Sequence, residues 1–266
     1  MDLTPFFAIP GEQPLDRIVD DGGMTAIFRT IACIGDSLSS GEFESTQPDG
    51  SKGYHDYYEY SWGQYIARMT GAKVYNFSKG GMTAKEYLES FADKKGLWAD
   101  DKYAQAYIMA LGVNDIHNKN HPLGSKESVN PENWRENDME TFAGRYAAIL
   151  QRYREGAPKS RFFLVTMPRS DHAVRDAQSE AHAALLHDLA EMFDFTYVID
   201  LYRYAPVYSG EFKRYFYLGS HLNAAGYIFT AKIIASYIDY IVRNNPEDFT
   251  QVGFIGTPHH NNTAKW

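Results

Sequence analysis

The stretch Ala26-Ile27-Phe28-Arg29-Thr30-Ile31-Ala32-Cys33-Ile34-Gly35-Asp36-Ser37-Leu38 decides how this chain is read. Residues 26–34 are almost continuously apolar, with no alternation of polar and apolar positions. A strand covered by helices on both faces has that pattern, whereas a strand with one wet face alternates. Gly35-Asp36-Ser37 then breaks the run with a turn that carries a hydroxyl. Four further runs of the same kind follow, at 73–77, 104–111, 161–166 and 196–199.

Helical spacing fills the intervals between these runs. Trp62, Ile66 and Met69 share one face of a short helix that Gly71 ends. Phe142, Tyr146, Ile149, Leu150 and Tyr153 mark a longer one, closed by Gly156 and Pro158. Ala181, Leu185, Leu189 and Met192 lie on one stripe of a helix over 177–193. Ile228, Ala231, Ala235, Ile238 and Val242 do the same over 224–243. Strand and helix alternating in this way imply right-handed crossovers and a doubly wound, three-layer α/β fold with a five-stranded parallel sheet.

The 266 residues are read as one domain, 1–266, because no Pro/Gly/Ser-rich linker or composition break divides them. Poorly periodic extensions are expected at 1–22 and 245–266, wrapping the surface or fraying. Two long loops, 39–60 and 116–131, are candidates for function. Apolar and charged shares of 44% and 23% are those of a soluble globular protein. A net charge of −8 argues against nucleic acid or an anionic membrane as principal partner. No stretch approaches ~18 uninterrupted apolar residues, so integral membrane association is not expected. The N-terminal residues do not read as a signal peptide. Cys33 is the only cysteine, which suits a reducing, cytoplasmic setting.

Ligands of open α/β sheets bind outside the carboxyl ends of the strands. Ser37 follows the first strand, Gly81 the second and Asn114 the third, and His221 precedes the last helix. The expected fold therefore gathers these four at one edge. A serine hydroxyl becomes a useful nucleophile when a base takes its proton, and imidazole titrates near neutral pH. The backbone N–H groups of Ser37 and Gly81 and the side-chain amide of Asn114 are donors suited to the oxyanion of an acyl-transfer intermediate. Taken singly each has a plain reading: a helix cap at Asp36-Ser37, a loop at Gly80-Gly81, a turn at Asn114-Asp115, a polar loop residue at His221. Their joint occurrence, in order, favours chemistry.

Four segments, Ile34-Gly35-Asp36-Ser37-Leu38, Asn76 to Thr83, Leu111-Gly112-Val113-Asn114-Asp115 and Ser220-His221-Leu222-Asn223, resemble the sequence blocks of the SGNH hydrolases, or GDSL esterase/lipase family. The resemblance implies a flavodoxin-like three-layer α/β/α sandwich and metal-free hydrolysis of an ester or thioester. It also implies Ser37 as nucleophile, Gly81 and Asn114 in the oxyanion hole, and His221 as base. The family's usual acid, three positions before the histidine, is Leu218 here. Three explanations stand: a Ser–His dyad steadied by a backbone carbonyl, which is the preferred one; an acid from elsewhere, Asp200 or Glu211, of which Asp200 is favoured by its place at the end of the fifth strand, with a structural role equally open to it; or a weak enzyme or non-catalytic binding protein on the same scaffold.

Aromatics crowd two loops near the expected site: Tyr54, Tyr57, Tyr58 and Tyr60, then Tyr202, Tyr204, Tyr208, Tyr215, Phe216 and Tyr217. Rings there suit sugar faces, which points to a carbohydrate acetylesterase. They equally suit an acyl-chain pocket, as in a lipase or lysophospholipase, or ordinary packing. His117 and His121 lie in a loop without partners at metal-ligand spacing, and His259-His260 lies in the tail. No metal and no cofactor are expected.

Overall fold

The computed structural model describes residues 1–3 and 6–261; residues 4–5 and 262–266, parts of the two expected extensions, lie outside the described residues. Its strands are β1 (Thr30–Gly35), β2 (Glu42–Thr46), β3 (Lys52–Asp56), β4 (Lys73–Ser78), β5 (Ala106–Ala110), β6 (Arg161–Val165), β7 (Thr196–Ile199), β8 (Tyr217–Leu218) and β9 (His221–Leu222). Strands β4, β1, β5, β6 and β7 form, in that order, one parallel sheet. Counted along the chain this is second, first, third, fourth, fifth, the flavodoxin-like order.

The continuous apolar runs are strands because both faces of the sheet are covered. Ala32 and Ile34 face a layer containing Tyr146, Leu150 and Leu186, from the helices Phe142–Gly156 and Ala173–Met192. Ile31 and Cys33 face Trp62, Ile66, Ile234 and Ile238, from Trp62–Thr70 and Ala224–Asn244. Ile31, Ala32 and Ile34 are fully buried, and each large aliphatic side chain so placed contributes roughly 1.5–3 kcal/mol. The helices begin at side-chain caps: Ser61 accepts from Gln64 N, Thr141 from Gly144 N and Asn223 from Gly226 N.

Boundaries depart from expectation where periodicity carries no signal. Residues 26–27 belong to a 3₁₀ turn, Gly23–Ile27, held to the last helix by Thr25 Oγ1 donating to Ala235 O. The third long helix starts at Ala173, because its first turn is too polar to show a stripe. Segments flanking the core are engaged: Arg243 pairs with Glu12 at 2.6 Å, and Phe249, Val252 and Ile255 are buried beneath the sheet. Ala224–Asn244 is long and apolar enough to cross a bilayer, yet its apolar stripe is packed inside the molecule.

The loop 39–60 is not irregular. It contains the antiparallel hairpin β2–β3, pairing Glu42 with Asp56 and Glu44 with Tyr54. Strand β2 packs against the small hairpin β8–β9, in which Leu218 pairs with His221.

Candidate active site

Strand β1 ends at Gly35, and the short helix Ser37–Ser40 starts at once, with Asp36 as its cap accepting from Leu38 N at 3.0 Å. Asp36 is buried, which pushes its carboxyl up to about 7 against the opposing pull of the Leu38 N–H. Ser37 itself is half-buried. Tyr227, fully buried in the last helix, ties this turn to the β2 hairpin, its hydroxyl lying 3.2 Å from Ser37 O and 2.7 Å from Glu42 O.

Parallel register sets Gly35 beside Ser78 of β4 and Ala110 of β5, so the loops after all three strands open on the same edge. Gly81 follows β4 with φ +73°, a conformation an L side chain rarely adopts. A Cβ on Gly80 would run into Glu42 Oε2, so a side chain there would displace this carboxylate. The amide nitrogen of Asn114 donates to Met82 O at 3.2 Å and lies 3.4 Å from Asp36 Oδ2. It therefore bridges the neighbours of Gly81 and of Ser37. Below it Asp115, fully buried, accepts from Ala84 N with both oxygens at 3.1 Å and from the ring of His121 at 3.2 Å. That pairing fixes the loop after β5 against the loop after β4.

His221 meets the Ser37–Ser40 turn from the other side, through packing of β9 against it. Its Nε2 lies 3.0 Å from Glu42 Oε1, and its Nδ1 lies 3.0 Å from Ser220 Oγ and 3.8 Å from Glu44 Oε2. Among the described residues no hydrogen bond joins the ring to Ser37 Oγ. Burial lowers the affinity of the ring for a proton, but contact with Glu42 and the charges of Glu42, Glu44 and Asp36 outweigh it, and the pKa is raised. Glu44 is held at about 2 by hydrogen bonds from Lys52, from the Ser220 hydroxyl and from the Ser220 N–H, so it is ionised at every working pH. Tyr54, more than half exposed, sets its ring edge-on to His221 at 5.5 Å between centroids.

Ser37, Gly81, Asn114 and His221 are thus brought to one edge of the sheet, while Asp200 is not. Asp200 caps the Leu201–Tyr204 turn, and its oxygens pair with His187 Nε2 at 2.9 Å and Thr166 Oγ1 at 3.4 Å. The expectation that Asp200 orients His221 is therefore corrected: strand β7 lies at the far edge of the sheet, and its end serves a helix cap. Glu211 is exposed in the first turn of Gly210–Phe216. Leu218 is 51% exposed and places no acid near the ring. The carboxylates that do face His221, Glu42 and Glu44, come from the hairpin read as loop. Its signal was available: Glu42-Phe43-Glu44-Ser45-Thr46 and Lys52-Gly53-Tyr54-His55-Asp56 flank Pro48-Asp49-Gly50, a hairpin turn composition. Most of the second aromatic group is packing, Tyr208 stacking on Phe212 at 4.1 Å. Among the described residues no group of three or more His, Cys, Asp or Glu is placed to hold a metal ion.

The model of the GDSL-like Lipase/Acylhydrolase family matches residues 33–228, which includes every one of these loops. The chain belongs to that family. Its class is therefore that of an SGNH-type esterase. A family two carbohydrate esterase from Clostridium thermocellum, solved in complex with cellohexaose, has 17% identity and a TM-score of 0.56, over 80% of this chain and 64% of that one. A carbohydrate acetylesterase from Sinorhizobium meliloti has 17% identity and a TM-score of 0.54, over 80% of this chain and 99% of that one. A carbohydrate esterase family 2 enzyme from Corynascus thermopiles has 18% identity and a TM-score of 0.54, over 79% and 65%. At these identities the likeness establishes the shared α/β/α fold. No curated protein sequence matches the chain. Within the family Leu218 is the departure, since the usual acid of the last block is missing.

Proposed function

We propose that the chain is a carbohydrate O-acetylesterase in which Ser37 is the nucleophile and His221 the general base. The observation that carries this reading is the position of Asn114, whose amide spans from Met82 O to Asp36 and so joins the loops of Ser37 and Gly81. An ester carbonyl seated there meets the Ser37 hydroxyl, the N–H groups of Ser37 and Gly81, and the Asn114 amide, which gives up its long 3.4 Å contact with Asp36 to donate to it. Nε2 takes the Ser37 proton as Oγ bonds to the carbonyl carbon, and the oxyanion forms against the donors. The sugar alkoxide then leaves with the proton from Nε2, and acetyl-Ser37 remains. A water, deprotonated by the same nitrogen, releases acetate and restores the hydroxyl.

Glu42 defines the resting state. With a proton on Nε2 the ring pairs with Glu42; without it the lone pair repels the carboxylate and is free for Ser37. Two features favour a short acyl group on a sugar. An apolar cavity of about 70 Å³ lies beside the Ser37 turn, lined among others by Asp36, Leu38, Trp62, Leu111 and Val113, a volume that suits a methyl or ethyl group. Tyr54 presents an exposed ring beside His221, and proteins sharing the fold include carbohydrate esterases.

Acetate release from acetylated oligosaccharides, compared with nitrophenyl esters of rising chain length, tests the reading. Ser37→Ala should abolish both activities, and a fluorophosphonate should label Ser37. Hydrolysis that survives the substitution, or a preference for long acyl chains, would refute the proposal.

A further inference from the structure

The missing acid leaves His221 in need of something to set its tautomer. A general base must carry its proton on Nδ1, so that Nε2 offers a lone pair to the nucleophile, and a carboxylate on Nδ1 ordinarily arranges this. Here Nδ1 meets a hydroxyl, which alone is ambiguous because it can donate or accept. Its other contact resolves the direction. Ser220 Oγ lies 2.6 Å from Glu44 Oε2 and 3.0 Å from His221 Nδ1. An ionised carboxylate only accepts, so the single Ser220 proton is committed to Glu44. The hydroxyl oxygen must then accept from His221, which places the proton on Nδ1.

Resting on the reading of Ser37 and His221 above, we infer that Ser220 and Glu44 are positioning residues for the hydrolysis, a hydroxyl relay from the β2 hairpin that replaces the acid absent at Leu218. The relay is built to stay in place. Glu44 is 6% exposed, Lys52 Nζ holds its Oε1 at 2.8 Å, and Ser220 N donates to Oε2 at 2.7 Å. In the first step the proton leaving Ser37 Oγ arrives at Nε2, the ring becomes a cation, and the Nδ1–H to Ser220 to Glu44 chain stabilises it. When Nε2 returns the proton to the leaving alkoxide the relay is unchanged, so no proton need pass beyond Nδ1.

Glu44 also anchors the turn at Ser220, so a structural role must be separated from a positioning one. Ser220→Ala does this, because the backbone N–H to Glu44 survives while the relay is cut. The expected result with a nitrophenyl acetate is a fall in kcat of ~10²- to 10⁴-fold, with little change in KM and in the melting temperature. Ser220→Thr, which keeps a hydroxyl, should restore kcat to within a few-fold. Asp36, Glu42 and Glu44 are the charged groups facing the ring, with Lys52 behind Glu44. Removing one negative charge by Glu44→Gln should move the acid limb of the kcat/KM profile to lower pH, and nitrogen NMR should show the Nδ1–H form losing population. A Ser220→Ala kcat within about threefold of the parent, with unmoved profile, overturns the relay even if Glu44→Gln fails to fold. Esterase activity that survives Ser37→Ala instead overturns the reading beneath it.

Discussion

Replacing Glu42 with Gln removes the charge facing Nε2 of His221 while keeping the side chain's length. A carboxylate within ~4–6 Å moves a neighbouring group by roughly 1–3 pKa units. Glu42 stands at 3.0 Å, but both side chains keep 13% exposure and Asp36 and Glu44 still face the ring. The pKa of His221 should therefore fall when this charge is removed, since contact with Glu42 is the largest influence raising it. The base works only with Nε2 unprotonated, so activity is lost as pH falls through its raised pKa. Lowering that pKa carries the acid limb down with it. At pH below both values kcat/KM of the variant should exceed the parent by roughly tenfold, the usual order of effect of one neighbouring charge. At pH above both, no difference arises from this cause. Stability should change in the opposite sense. A raised pKa in the folded chain contributes stability that is fully present below the unfolded value of ~6.5 and is lost as pH rises through the folded value. Glu42→Gln should thus melt lower than the parent at pH 5 and level with it at pH 8. The assays are kcat/KM for a short nitrophenyl ester across pH 4.5 to 8.5, the His221 ring titration by NMR, and melting at the two ends. An acid limb that stays still or moves upward refutes the reasoning, as does a melting difference equally large at pH 8.

Asn114→Ala should lower kcat by ~10²–10³-fold, the usual loss for one oxyanion donor, with KM nearly unchanged; a smaller loss than threefold removes Asn114 from that role. Tyr54→Ala should raise KM for an acetylated oligosaccharide roughly two- to tenfold, the equivalent of ~0.5–1.5 kcal/mol of ring contact. KM for nitrophenyl acetate should not move, and an equal rise for both substrates would show that the ring supports the site rather than the sugar.

The sheet was legible because its determinants are local and one-dimensional. Runs such as Ile31 to Ile34 and 162–165 are apolar at every position, and helix covering on both faces is the arrangement that uses them all. Strand ends then placed Ser37, Gly81 and Asn114 on one edge without any knowledge of side-chain contacts. Boundaries failed where the apolar signal is shared by different backbones. Residues 26–27 have the composition of a strand, but they close a 3₁₀ turn that the Thr25 hydroxyl holds to Ala235 O of the Ala224–Asn244 helix.

The polar surroundings of His221 could not be read in the same way. Leu218 reports from the sequence only that an acid is missing, and the two loops that replace it meet through packing of β2 on β9. Asp200 stood at a plausible strand end, yet its partner is His187, thirteen residues before it in the chain. A hydrogen bond between residues as far apart as Glu44 and Ser220 has no signature in either local segment, because its geometry is set by elements between them. The sequence alone determined the strand order's raw material, the turn that carries the hydroxyl and the class of chemistry. Which carboxylates surround the imidazole was decided by tertiary structure, since electrostatics acts through space over a few ångströms and is blind to separation along the chain.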